Sequence, residues 1–182
     1  MNKLVLALAA GAFALSAPLT PAIASVETEE ARTAALDAAE LARQDMIATF
    51  GDKQLKPGQY LWDADAPASG PVRVVISLAD QMAYLYRGGT LVAVSTISSG
   101  KSGNDTPTGI FPILAKKPIY HSRKYDNAPM PFMQQIDEYG IALHAGMNPG
   151  YPASHGCVRL PAKFAAKLYG VTELGSEVLI AS

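Results

Sequence analysis

The sole cysteine of the 182-residue chain and two of its three histidines fall close together near the C-terminal end. Residues 151–160 read YPASHGCVRL, so His155 stands two positions before Cys157, and His144 stands thirteen before it. A free thiol is mostly protonated at neutral pH, and an adjacent imidazole lowers its pKa by stabilising the thiolate. Gly156 allows an unusual turn beside the sulfur and leaves room for a substrate to approach. The backbone N–H groups of Gly156 and Cys157 can then face a developing oxyanion, as donors do in acyl transfer. Arg159 is a permanent cation suited to a carboxylate or to ordering nearby backbone. These residue types describe a cysteine nucleophile. Two other readings stay open beside it. A lone thiol can be a small buried hydrophobe, and His144, His155 and Cys157 together are a known zinc ligand set. Against zinc, the usual paired spacings are missing and no carboxylate base lies between His144 and Arg159.

The elements around this cluster read as strands. Val72–Leu78 (VRVVISL), Met82–Tyr86 and Leu91–Ile97 are β-branched or aromatic runs, separated by turns at Asp80-Gln81 and Arg87-Gly88-Gly89. Gly100–Gly109 is a loop, with Ile110–Leu114 a strand after it. Residues 118–131 are long, polar and aromatic, and such loops in compact domains are often functional. Tyr139–His144 reads as a strand that delivers the histidine, and the turn-rich AGMNPGYPA after it can return the chain towards the thiol. Pro161–Tyr169 reads as a short helix with proline in its first turn and Gly170 past its end. Val178–Ile180 closes as a strand, which makes a mostly antiparallel β domain. Upstream, Val26–Phe50 has no glycine or proline and reads as one helix, with Leu36, Ala39, Ile47 and Phe50 as a loose apolar stripe that Arg43 interrupts. Gly51–Gly70 is linker and turn chemistry.

Composition sets the outer limits. At 49% hydrophobic and 17% charged residues, the chain has the make-up of a folded domain. Fifteen basic and 16 acidic side chains give a formal charge of −1, which argues against a nucleic-acid partner. One cysteine excludes an intrachain disulfide and a multi-cysteine metal cluster. Lys3, the apolar run Leu4–Leu15 and Ala22-Ile23-Ala24 read as a cleavable signal peptide over residues 1–24. The expectation is an exported protein of the periplasm or cell envelope. Export sharpens the question of the thiol, since an unpaired cysteine in an oxidising compartment is buried, paired between chains, or reactive. Gly100-Lys101-Ser102 imitates the tail of a P-loop, but Ser95 stands where that motif needs its first glycine.

Ser154-His155-Gly156-Cys157-Val158-Arg159, with His144 upstream, resembles the signature of L,D-transpeptidase (YkuD-type) catalytic domains. VRVVISLADQMAYLYRGGTLVAVSTISSG followed by Thr106-Pro107-Thr108-Gly109 extends the resemblance backwards, so that it covers residues 71–182. The resemblance implies a mainly β fold, sandwich or barrel-like, with a short internal helix and here an N-terminal helical extension. It divides the chain into a signal peptide (1–24), a helical extension and linker (25–57) and a catalytic domain (58–182, core 71–182).

It also implies action on peptidoglycan stem peptides, with Cys157 as nucleophile and His144 as proton donor and acceptor. The Ala145 backbone carbonyl would hold the other imidazole nitrogen. His155, Gly156 and Ser154 would shape the oxyanion pocket. Ser154, Arg159, Tyr120 and Met133 would contact substrate, with Tyr120, His121 and Met130–Met133 forming the opposite wall and His121 itself solvated. The acceptor is a second stem peptide or an amine of an envelope protein, and carbapenems are expected to acylate the thiol. No metal or other cofactor belongs to that expectation. Water as acceptor would make the enzyme a hydrolytic L,D-carboxypeptidase or releasing enzyme, and a non-catalytic peptidoglycan-binding domain is the reading outside enzymes. The stretch from His144 to Cys157 is shorter than the family's usual spacing, and Ala145 stands where glycine or serine is common.

Overall fold

A computed structural model describes residues 26–182; the signal-peptide reading of residues 1–24 lies outside them. In chain order the elements are α1 (Glu29–Phe50), β1 (Tyr60–Trp62), β2 (Val72–Ser77), β3 (Met82–Arg87), β4 (Thr90–Thr96), β5 (Gly109–Pro112) and β6 (Ala115–Lys117). There follow β7 (Met133–Gln135), β8 (Ala142–Ala145), β9 (Val158–Leu160), α2 (Ala162–Val171) and β10 (Glu177–Ala181). Two sheets result, one ordered β1-β4-β3-β2-β10-β5 and the other β6-β7-β8-β9.

The apolar runs explain the layering. Val74-Val75-Ile76 and Val178-Leu179-Ile180 are buried without a polar alternation, which requires cover on both faces of the larger sheet. Val74, Ile76, Val178 and Ile180 point into the main core with Leu143, Val158, Leu160 and the α2 residues Phe164, Ala165 and Leu168. Val75, Leu179, Tyr84 and Val94 point the other way, against Ala35, Ala39, Ala42 and Met46 of α1. The fold is mainly β: two sheets share a core that includes α2, and α1 covers the outer face of the larger sheet.

Several elements differ from the sequence reading. The N-terminal helix starts at Glu29, not Val26, because the Thr28 side chain caps it by accepting from the Ala31 N–H. Val26 instead exchanges backbone hydrogen bonds with Ile110. The buried stripe is Ala31, Ala35, Ala39, Ala42 and Met46, whereas Leu36 and Ile47 are exposed. Small side chains let the helix lie close to the sheet, and the large apolar ones misdirected the choice of face. Gly170 lies inside α2, which runs on to Val171 and is capped by Thr172. The short strand β1 falls in the segment read as linker, and β6, β7 and β9 fall in stretches to which the sequence reading gave no element. Two pairings are parallel, β2 with β10 and β8 with β9. Among the described residues, no helix is long and apolar enough to cross a membrane.

Candidate active site

The parallel pair β8–β9 sets His144 beside Arg159 and Leu143 beside Val158, so the histidine strand and the strand that follows the cysteine are neighbours. Parallel neighbours need a connection of about a dozen residues, usually a helix. Here the connection is the irregular segment from Gly146 to Cys157, and other backbone must hold it in place. Ser99 supplies much of that hold, its carbonyl accepting from the N–H groups of Ala153 and Ser154 at 3.0 and 2.9 Å. The Lys101 N–H donates to the Ser154 carbonyl, and Ser98 and Arg159 exchange a backbone pair at 3.0 and 2.9 Å. The Ser98 hydroxyl donates to the Tyr151 carbonyl at 2.8 Å. Behind this segment, Gln81 at φ 53° donates to the Ser99 hydroxyl and accepts from the Ser99 N–H. The GKSGNDT loop, empty of chemistry in the sequence, braces the cysteine loop.

His144 is 7% exposed. Its Nδ1 lies 2.8 Å from the Ala145 carbonyl oxygen. A carbonyl only accepts, so Nδ1 carries the proton and Nε2 presents a lone pair. The Ala145 N–H donates to the Pro131 carbonyl at 2.8 Å, which anchors the peptide on which the ring rests. Burial pushes the His144 pKa down, the Ala145 carbonyl opposes this, and the Arg159 charge adds to it. Burial pushes the Cys157 thiol up; the Ala142 backbone amide pulls it down, Asp137 raises it and Arg159 lowers it. Burial thus disfavours the charged form of both groups, thiolate and imidazolium alike. The sulfur is directed at the Gly140 carbonyl, 3.9 Å away.

Cys157, His144, Arg159, Tyr120 and His155 all line one open cleft of about 770 Å³. Ser154 reaches the cleft but is 1% exposed. Its hydroxyl donates to the Cys157 carbonyl at 2.5 Å and accepts from the Gly156 N–H at 3.1 Å, so it closes the loop on itself. That second bond corrects the expectation that the Gly156 N–H faces an oxyanion, because the donor is already taken. The His155 ring, expected in the oxyanion pocket, stacks instead on Tyr125 with centroids 4.5 Å apart. Met133 corrects a third expectation. At 2% exposure, it packs with Met130 and Ala142 beneath Tyr120 and Cys157 and supports the wall from behind. His121 is exposed and bridges Pro129 across its own loop. Arg159 lies along Gly146, where an added Cβ would come within 3.0 Å of its Cγ.

Tyr125 is a cleft residue that sequence reasoning missed; its signal was membership of the long aromatic loop 118–131. Gln81 gave no signal, since a glutamine in a turn looks like any solvated polar residue. A second cleft of about 610 Å³ lies between α1 and the larger sheet, lined by Leu41, Asp45, Arg73, Tyr86 and Glu177, and neither cysteine nor histidine is among its lining residues. Among the described residues, no three or more His, Cys, Asp or Glu side chains gather as a metal site. The cleft with Cys157 brings an ionisable thiol and an imidazole of fixed tautomer onto one lining.

The family model described as the L,D-transpeptidase catalytic domain (YkuD) matches residues 71–180. No curated protein matches the sequence. Among solved structures, an L,D-transpeptidase from Xylanimonas cellulosilytica is 26% identical with a TM-score of 0.56, covering 63% of this chain and 62% of that one. One from Stackebrandtia nassauensis is 22% identical with a TM-score of 0.58, covering 79% of this chain and 65% of that one. L,D-transpeptidase 3 from Mycobacterium tuberculosis, solved with a faropenem-derived adduct, is 19% identical with a TM-score of 0.56, covering 61% and 60%. This chain thus spans about three-fifths of the length of the solved relatives it matches. With the family model covering more than half of its residues, the chain belongs to the YkuD family of L,D-transpeptidase catalytic domains.

Proposed function

We propose that the protein is an exported peptidoglycan L,D-transpeptidase that carries its acyl group on Cys157. The observation that carries this reading is the shared cleft of Cys157 and His144, with His144 Nδ1 held on the Ala145 carbonyl at 2.8 Å. With Nδ1 occupied, Nε2 is the nitrogen that takes the thiol proton as a carbonyl carbon comes within reach of the sulfur. The sulfur attacks the amide after the L-centre of a donor stem peptide, and the terminal D-residue leaves with the proton that His144 returns. His144 then deprotonates the acceptor amine, which attacks the thioester and regenerates the thiol. Burial disfavours charge on both the thiol and the imidazole, which favours proton transfer that accompanies attack. The acceptor is a second stem peptide or an amine of an envelope protein. Export rests on Lys3, the apolar run and Ala22-Ile23-Ala24.

The test is to incubate the protein with purified sacculi, digest them and separate the muropeptides. New cross-links that vanish in Cys157→Ala are expected. Trimmed stems without cross-links would make it a hydrolase, and an unchanged profile would leave a binding domain. Intact mass of the protein recovered from cells, beginning at Ser25, tests the leader.

A further inference from the structure

Thr106 is 5% exposed and stands at the start of Thr106-Pro107-Thr108-Gly109, outside the cysteine loop. Its hydroxyl accepts from the Gly100 N–H at 2.9 Å and donates to the Gly156 carbonyl at 2.8 Å. A hydroxyl has a single proton, so with Gly100 acting as donor that proton is committed to Gly156. The described peptide bonds are all trans. In a trans peptide the C=O and the following N–H point in opposite directions. Pinning the Gly156 carbonyl therefore turns the Cys157 N–H away from Thr106. The Gly156 N–H is spent on Ser154, whereas no protein acceptor is bonded to the Cys157 N–H among the described residues. Cys157 lines the cleft; Thr106 and Gly156 do not.

We infer that Thr106 is a positioning residue whose hydroxyl, by gripping the Gly156 carbonyl, aims the Cys157 N–H at the carbonyl oxygen of the acyl donor. This rests on the acyl-transfer reading of Cys157. As the sulfur forms its bond to the carbonyl carbon, the π pair moves onto oxygen, where the Cys157 N–H meets the charge. The pair returns as the C–N bond breaks, and the leaving nitrogen takes the proton held by His144. Gly100 belongs to the same device. A Cβ there would lie 2.0 Å from the Asn104 carbonyl oxygen and 2.9 Å from the Thr106 nitrogen, so only glycine lets this loop close on Thr106.

A threonine that merely supported the loop would slow every reaction of the thiol alike, whereas a positioning residue slows only those that pass through an oxyanion. Iodoacetamide reacts by displacement at saturated carbon, and faropenem reacts at a carbonyl. Both rates are measured by intact mass on the full chain, with the wild type, Thr106→Val and Thr106→Ser. In Thr106→Val, acylation is expected to fall about tenfold or more while alkylation stays within about twofold, and Thr106→Ser to keep the wild-type ratio. Should the valine variant fail to fold, Thr106→Ala carries the same comparison. An unchanged ratio, or both rates falling together, overturns the positioning role alone. A wild type that alkylates but never acylates overturns the acyl-transfer reading, and Thr106 with it.

Discussion

The ring of Tyr125 lies on the ring of His155, with centroids 4.5 Å apart and planes inclined by 21°. This stack joins the 118–131 loop to the cysteine loop across the cleft. Lys124 also reaches over the Tyr125 ring, its Nζ 5.4 Å from the centroid. Aromatic pairs of this kind contribute about 0.5–1.5 kcal/mol beyond the area they bury. Truncating Tyr125 to alanine should free the outer wall, so that faropenem acylation of Cys157 slows by about 2–10-fold, in proportion to that energy. Tyr125→Phe keeps the stack and should match the wild type. If the phenylalanine variant is as slow as alanine, the hydroxyl and not the stack is what matters.

His144 gives a prediction about pH. Its pKa is depressed by burial, so the ring stays deprotonated below the ordinary imidazole value of about 6.5. The acylation rate should hold through that pH and fall only when His144 is protonated at lower pH. In His144→Ala this acid limb should vanish. The rate should drop by about 10²–10⁴ at neutral pH and then climb with pH as the thiol ionises unaided. An acid limb that persists in His144→Ala would assign it to another group.

The same two groups shape stability, in opposite directions. His144 binds its proton less readily when folded. Below about pH 6.5 the unfolded chain therefore takes up more protons, and stability falls as pH falls. Cys157 is raised when folded. Above about pH 8.5 the unfolded thiol ionises first, and stability falls as pH rises. Tyr84, pushed by burial up to about 12, adds to that loss only above about pH 10. Urea midpoints should thus form a plateau between the two limits. Cys157→Ala should lose less than the wild type between about pH 8.5 and 10, the window of the ordinary thiol; equal losses there would detach the alkaline limb from Cys157.

What could be read in the sequence depended on how local its cause was. The cysteine and the upstream histidine are few residues of rare type, and the strands around them carry β-branched or aromatic runs. The meeting of Leu143 with Val158 in a parallel pair was hinted at only by the turn-rich segment between them. Ser154 and Gly156 were singled out, yet their hydrogen-bond partners were not legible. Each polar group has several possible acceptors, and the tertiary fold chooses between them. Met133 is assigned to substrate by the resemblance alone, together with the whole Met130–Met133 segment. Strand alternation turns it inward, and a three-residue strand is too short to reveal that phase. Tyr125 and Gln81 act through partners 30 and 18 positions away, His155 and Ser99, which no local pattern records.

The N-terminal helix is where large side chains misled and small ones carry the packing. Ala42 is fully buried in the cluster that α1 forms with the outer face of the larger sheet. Leu36, whose hydrophobicity marks it for a core, is 45% exposed. Burial decides the cost of a change, so the effects should invert what residue type suggests. Leu36→Ala removes methyl groups already in water and should alter stability by no more than about 0.5 kcal/mol. Ala42→Leu forces a larger side chain into a close contact between helix and sheet and should cost about 1–3 kcal/mol. Urea denaturation of both variants separates the cases. A large loss in Leu36→Ala with a neutral Ala42→Leu would mean that the helix docks by the opposite face. Neither change should alter the faropenem acylation rate of the folded protein, because α1 packs on the outer face of the larger sheet, whereas His144 lies on β8 of the other sheet and Cys157 directly precedes β9.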